Sequence, residues 1–255
     1  MKNKIIYITL SLTIVFCLDG YELANLIENR LKPDDVKSTN SMKLTNKKGR
    51  VKNLKLISKS KDDNKRQMIW FLSPADDKGM AFLKIEYPDK DNLMKMWLPG
   101  FKKFRRIASS KQSDSFMGSD LSFEDLTNRK IDDYSYKIIN EEETCTYKEE
   151  NYKCYVLESI PNEINSEYTK HITWIIKIED NVYLAIKEHS FDKNNELLKI
   201  KNIEFDKIES FYIMNNLFVK NIKKTSSTLL TIDEISLNSG FTNDMFKETN
   251  LKRLP

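Results

Sequence analysis

Arg66-Gln67-Met68-Ile69-Trp70-Phe71-Leu72 is too apolar to be a strand with one wet face. Successive side chains of a strand point to opposite sides, so Met68, Trp70 and Leu72 share one face and Ile69 and Phe71 the other. Both faces must therefore be covered. A sheet wrapped round an apolar interior, with a helix packed outside or across its mouth, meets that demand. So does the centre of an ordinary sandwich, and the pattern alone leaves both open.

Outward from this strand the chain reads as short strands joined by polar turns: Val36 to Thr45, an Asn46-Lys47-Lys48-Gly49 turn, Val51 to Ser58, Met80 to Tyr87, Leu93 to Leu98 and Phe104 to Ile107. The second half continues with Tyr134 to Asn140, a hairpin reaching Leu157, then His171 to Ile178, Val182 to Ser190, Leu197 to Ile208, Phe211 to Val219 and Thr228 to Leu237. Few connections are long enough for parallel crossovers, which predicts an antiparallel, strongly curled sheet. Before it, Asp19 is placed to cap a helix carrying Leu23, Leu26, Ile27 and Leu31, with Pro33 marking its end. Only Thr242 to Lys247 looks helical again.

The chain has 255 residues, 40% hydrophobic and 31% charged, with 6 Gly and 6 Pro. That is globular composition and room for a sizeable core. A charge of +4, to which Lys2 and Lys4 of the leader contribute, argues against a nucleic-acid binder, which needs a concentrated basic excess. Residues Met1 to Gly20 open with lysines and run apolar from Ile5 to Phe16, the pattern of a secretory signal peptide and too short to span a bilayer as a helix. The expectation is a signal peptide over 1–17, cut at or just after Cys17, and one domain over 18–255. A lipidated Cys17 is the alternative, although Phe16 before it is a poor fit. Export makes a disulfide between Cys145 and Cys154 plausible, placed across a Glu149-Glu150-Asn151 turn; two unpaired thiols are the alternative. With only His171 and His189 as imidazoles and no CxxC, a metal site is not expected. No GxSxG, HExxH or phosphate loop is present, so neither catalysis nor a cofactor is expected.

Five of the eight non-initiator methionines (Met68, Met80, Met94, Met96 and Met117) fall within fifty residues, together with Trp70, Phe82, Phe101, Phe104 and Phe116. Methionine fills irregular space and tolerates changing partners, so the cluster reads either as a deformable pocket or as a core that happens to use Met. Ser122-Phe123-Glu124-Asp125 reads as a capping-box variant opening a short helical turn, which would make Phe116, Met117, Leu121 and Phe123 an apolar flap; an ordinary loop is the alternative.

Three segments then carry a resemblance: Phe71-Leu72-Ser73-Pro74-Ala75-Asp76-Asp77-Lys78-Gly79-Met80-Ala81-Phe82-Leu83, Trp97-Leu98-Pro99-Gly100-Phe101-Lys102-Lys103-Phe104-Arg105-Arg106-Ile107, and Ser115-Phe116-Met117-Gly118-Ser119-Asp120-Leu121-Ser122-Phe123-Glu124-Asp125-Leu126. In order and spacing they resemble the outer-membrane lipoprotein-sorting protein family of LolA-like folds. The sequence departs from the usual pattern at Met80, where a small hydroxyl residue is common, and at Gly100, where Ala is common. The resemblance implies a mainly β, half-open antiparallel barrel with an N-terminal helix and short helices or loops as a lid over an apolar cavity. It implies a periplasmic carrier of lipid or lipoprotein acyl chains. An inner-membrane transporter and an outer-membrane acceptor would be its partners, with no nucleic acid. A lipid-binding accessory module of an inner-membrane transporter, anchored at Cys17, and a non-ligand-binding structural β protein are the alternatives.

Candidate cavity residues on this reading are Met68, Trp70, Leu72, Met80, Phe82, Met94 and Met96, then Leu98, Phe101, Phe104, Phe116, Met117, Phe123 and Trp174. Candidate lid residues are Leu23, Leu26 and Ile27 of the helix, with Arg105 or Arg106 reaching Asp120, Glu124 or Asp125 as a latch. Lys102, Lys103, Arg105 and Arg106 forming a solvated rim is the alternative.

Overall fold

The computed structural model describes residues 18–162 and 166–255; the leader and Cys17 lie outside the described residues. Helix α1 (Gly20–Glu28) comes first. Thirteen strands follow: β1 (Asp35–Thr45), β2 (Val51–Lys61), β3 (Arg66–Ser73), β4 (Ala81–Ile85), β5 (Leu93–Leu98), β6 (Lys103–Arg106), β7 (Tyr134–Tyr147), β8 (Glu150–Pro161), β9 (Tyr168–Glu179), β10 (Val182–Asp192), β11 (Leu197–Ile208), β12 (Phe211–Asn221) and β13 (Ser226–Leu237). They form one antiparallel sheet in the order β6-β5-β4-β3-β2-β1-β13-β12-β11-β10-β9-β8-β7. Pairing of β1 with β13, from Val36 opposite Leu237 to Thr45 opposite Ser227, joins the two halves. The sheet is curled and does not close, as expected of a half-open barrel: β6 and β7 are its two edges.

These edges are consecutive in the chain. The segment from Ile107 to Asp133 must therefore travel from one rim of the open barrel to the other, and its buried Phe116, Leu121 and Phe123 show which face it crosses. On the inner face, Met42, Leu54, Leu56, Ile69, Phe71, Phe82, Met94 and Met96 pack with Phe116 and Phe123. Cross-strand register keeps them together, with Met42 opposite Leu54, Ile69 opposite Phe82, and Phe82 opposite Met96.

The other side of β3 to β5 is equally dry. Met68, Trp70, Ala81, Leu83 and Ile85 are covered by Phe246 and Leu251 of the 3₁₀ turns Asn243–Phe246 and Glu248–Lys252. Strand β3 is thus apolar on both faces because one lines the interior and the other receives the C-terminal segment.

Helix α1 begins at a full capping box, Asp19 accepting from the Glu22 amide at 2.7 Å and Glu22 from the Asp19 amide at 3.1 Å. It ends at Glu28, earlier than Pro33 suggested, and Leu31 is exposed. Leu23 and Ala24 pack on Leu157, Ile175 and Tyr183, with Leu26 and Ile27 alongside. A Cβ at Gly20 would stand 2.9 Å from the backbone of Tyr136 and Lys137, so only glycine lets the helix sit this close to β7.

Cys145 and Cys154 are joined by a disulfide. The turn lies at Lys148 and Glu149, both at positive φ, rather than at Glu149 to Asn151; in consequence Cys145 pairs with Tyr152 and Cys154 with Glu143, and the bridge is diagonal.

Removing a buried ring from the outer cover should loosen the sheet without touching the interior. Phe246→Ala is expected to cost about 3–5 kcal/mol in urea unfolding, whereas Phe101→Ala, on a side chain that is 73% exposed, should stay within about 0.5 kcal/mol.

Candidate functional site

Beside the seated flap, the inner face leaves a cavity of about 230 Å³. Met42, Leu56, Ile69, Phe116, Leu121, Leu126, Leu230 and Ile232 make its apolar part, and Met214 and Tyr212 reach it from β12. Ser38, Asn40, Ser58, Ser60 and Gln67 make a polar end, together with Arg30, the Lys32 to Val36 segment, Lys61, Asp63 and Asn64. An apolar cavity near 150 Å³ holds a molecule the size of benzene, so this one takes on the order of ten carbons.

The flap is a three-ring wedge. Phe116 meets Phe82 edge-on with centroids 5.3 Å apart, and Phe123 lies 5.7 Å from both Phe82 and Phe116. Its turn is closed by the reciprocal bonds anticipated from Ser122 and Asp125: the Ser122 amide donates to Asp125 at 2.8 Å and the Asp125 amide to Ser122 Oγ at 3.2 Å.

What fastens the flap is a buried set of charges. Asp125, its side chain 1% exposed, accepts from Lys199 Nζ at 2.8 Å and Lys201 Nζ at 2.6 Å, both on β11. Tyr168 Oη donates to it at 2.9 Å. Lys201 also reaches Glu188 at 3.0 Å, and Arg129, at the flap's far end, grips both Glu188 oxygens at 2.6 and 2.9 Å. Burial alone would raise the Asp125 pKa, but Lys201 and Lys199 outweigh it and hold the carboxyl far below the usual range. Glu188, likewise pushed up by burial, is held low by Arg129 and Lys201. Asp120 is fixed to β13 by Ser226 and Thr228, and Glu124 accepts from Ser166 and the Glu167 amide.

Several sequence expectations need correction. Arg105 and Arg106 are exposed, and among the described residues no ion pair joins them to Asp120, Glu124 or Asp125. The lysines that hold Asp125 are instead Lys199 and Lys201. Their signal was present: in Lys199-Ile200-Lys201-Asn202-Ile203-Glu204-Phe205 the two lysines share by alternation the strand face of Ile203 and Phe205. Met80, Phe82, Met94, Met96, Leu98, Phe116, Met117 and Phe123 gather in the inner-face cluster, but of these only Phe116 lines the cavity; the others pack the interior beside it. Met68, Trp70 and Phe104 belong to the outer layer, and Leu72 is the extra residue where the register of β3 shifts against β2. The pattern of β3 could not tell which of its dry faces was the interior. Phe101 is exposed, and Trp174 packs in a separate cluster, its Nε1 donating to Glu143. Leu23, Leu26 and Ile27 cover β8 to β10 rather than the cavity mouth, which is met by Arg30 just beyond the helix.

With this geometry in place, likeness to known proteins can be weighed. Residues 63–253 match the model of a family described as "-like: Uncharacterized protein". The chain belongs to that family, and it has the LolA-like fold of the lipoprotein-sorting proteins. It is similar to a putative outer membrane lipoprotein-sorting protein domain from Vibrio parahaemolyticus, at 25% identity and TM-score 0.82 over 92% of this chain and 98% of that one. It is also similar to a DUF1329 family protein from Desulfovibrio piger, at 26% identity and TM-score 0.81 over 91% and 97% of the two chains. A LolA superfamily protein from Nitrosomonas europaea, 17% identical with TM-score 0.66 over 89% and 96%, shares the fold. Among curated proteins there is no match. No helix among the described residues is long and apolar enough to cross a membrane.

The buried charges carry a pH dependence. His171 is fully buried, and because arginine can only donate, the approach of Arg129 Nη2 to its Nδ1 at 3.2 Å makes that nitrogen an acceptor and the ring neutral. Burial, then Arg129, lowers its pKa well below the usual 6.5. A depressed folded value means the stability is complete above the unfolded pKa and declines as pH falls below it. Unfolding free energy should therefore decline below about pH 6.5 by up to ~1.4 kcal/mol per unit, and more steeply below about pH 4 as Asp125 and Glu188 are called on to protonate. Urea midpoints for the wild type and His171→Gln between pH 7.5 and 5 check it; the variant should lose the larger part of the upper slope, the remainder belonging to His189, which burial also lowers.

Proposed function

We propose that the protein is an exported, periplasmic carrier that shelters the acyl chain of a lipid, most concretely of a lipoprotein on its way to the outer membrane, and performs no chemistry on it. The observation that carries this reading is the cavity of about 230 Å³ on the inner face, apolar at one end and polar at the other, bounded on one side by a flap whose rings pack on the neighbouring part of that face. A solidly packed structural barrel has no use for such a space. The similarity to a putative outer membrane lipoprotein-sorting protein domain over almost the full length of both chains supports the same direction of argument. So does the N-terminal leader of the sequence.

The driving force is ordinary. Each acyl methylene withdrawn from water gains ~0.8 kcal/mol, so a sixteen-carbon chain is worth roughly 12 kcal/mol of shelter. The closed cavity takes only part of such a chain. A longer tail is accommodated by displacing Phe116 and Phe123 from the inner face, which first requires Asp125 to leave Lys199 and Lys201.

Protein purified from its own envelope should carry lipid detectable by native mass spectrometry, and should take up a palmitoylated peptide in vitro. Leu230→Trp, which fills the cavity from β13, should reduce peptide binding at least tenfold. Asp125→Asn should speed uptake and release. Absence of co-purified lipid together with unchanged binding in Leu230→Trp would remove the carrier reading.

A further inference from the structure

Arg30 stands at the polar end of the cavity and makes no contact ion pair among the described residues, Asp63 and Glu28 acting on its charge only from a distance. It follows α1 directly and is pinned by one hydrogen bond from Nη1 to the Ile27 carbonyl at 3.2 Å, with its guanidinium 5.4 Å above the Phe205 ring. Its Nε is buried and has no acceptor. The acids nearest in charge, Glu28 and Asp63, are both taken by Lys32, at 3.3 and 2.5 Å. Asp35, on the same wall, spends its two oxygens on the amides of Ser239 and Phe241 at 2.7 and 2.8 Å. Asp34 also lines this end and makes no ion pair with Arg30 among the described residues. A half-buried guanidinium whose Nε lacks an acceptor and whose nearest carboxylates are held by another cation is only partly repaid for its desolvation. The same cavity runs from this cation to the hydrocarbon walls of Met42, Leu56, Ile69 and Leu230. A cation at one end and an apolar chamber at the other is the complement of a single amphiphilic chain with an anionic head.

We propose that Arg30 is the receptor for an anionic head group, carboxylate or phosphate, of a single-chain amphiphile whose tail enters the cavity under the flap. The planar fork of donors suits the two oxygens of either head, whereas an alcohol or a quaternary ammonium offers nothing to pair with it. This rests on the carrier reading and narrows it: the closed form selects a free acid or phosphate with a tail of on the order of ten carbons, matching the volume available.

Calorimetric titration with decanoate, decyl phosphate, decanol and acetate separates head from tail. Decanoate and decyl phosphate should bind wild-type protein at least tenfold more tightly than decanol, as a charge-assisted contact requires, and acetate should bind far more weakly than decanoate. In Arg30→Met the preference should disappear, and in Arg30→Lys part of it should return; unfolding midpoints near wild type establish that both variants are folded. Decanoate and decanol binding alike, or a preference that survives Arg30→Met, overturns the head-group role and leaves the cavity reading standing. Acetate binding as tightly as decanoate overturns it too, by making the site one for a bare anion. If no ten-carbon chain binds at all, this inference falls, and uptake of the palmitoylated peptide decides the carrier reading separately.

Discussion

Asp125 lies between Lys199 and Lys201 with almost no access to water, and the position of the flap follows from that contact. Three charges enclosed together are costly to desolvate, and the attraction among them repays the cost only while each is hydrogen-bonded. Here each is: Asp125 is also met by Tyr168, Lys199 by Glu167, and Lys201 by Glu188, which both arms of Arg129 hold in turn. Such a network adds less to stability than an apolar core of equal volume would. Its effect is to specify one place for the flap, since a shift of one residue along β11 would leave a charge unpaired in a dry site. Phe116, Leu121 and Phe123 supply the adhesion, and the charges supply the register.

Strand order explains why a flap exists at all. A sheet that begins in its middle, pairs its first strand with its last and ends on two strands adjacent in sequence must connect its own free edges. The connecting segment could pass outside, but the outer face of β3 to β5 is already taken by Phe246 and Leu251. The inner face is what remains. The edge strand β6 carries Lys103, Arg105 and Arg106, exposed charges of the kind that keep an open sheet from pairing with another chain. The arginines that the sequence offered as a latch thus fit better as guards of the rim.

Most of the strand pattern was legible because polar turns separate apolar runs of consistent length, and strand boundaries inferred from Val51 or Leu93 agree with those observed. The helix cap at Asp19 was legible for a similar reason: capping is local chemistry. Sidedness was not. Met68 and Met96 look alike in sequence, yet one packs under Phe246 and the other under Phe116, a choice made by the distant ends of the chain. The turn at Lys148 and Glu149 was missed because neither residue is a usual choice for positive φ; strand pairing imposes it. The latch was half legible. Asp125 stood out through its capping geometry, but Lys199 and Lys201 lie more than seventy residues away and announce themselves only by facing inward with Ile203.

If the protein is the carrier proposed above, its flap and a guest would compete for one surface, and magnitudes would decide the outcome. Exposing Phe116, Leu121 and Phe123 to water costs roughly 1.5–3 kcal/mol for each side chain, so the apolar resistance of the flap is of order 5–9 kcal/mol. At ~0.8 kcal/mol per methylene, a tail shorter than about ten carbons cannot repay that, and is confined to the cavity left beside the closed flap. A sixteen-carbon tail can, with a few kilocalories to set against the separation of Asp125 from its lysines, which regain hydration as they part. The balance is close enough to reverse. On the carrier reading proposed above, an interior filled by its own phenylalanines would present no open greasy hollow to water and yet yield to a chain long enough to replace them.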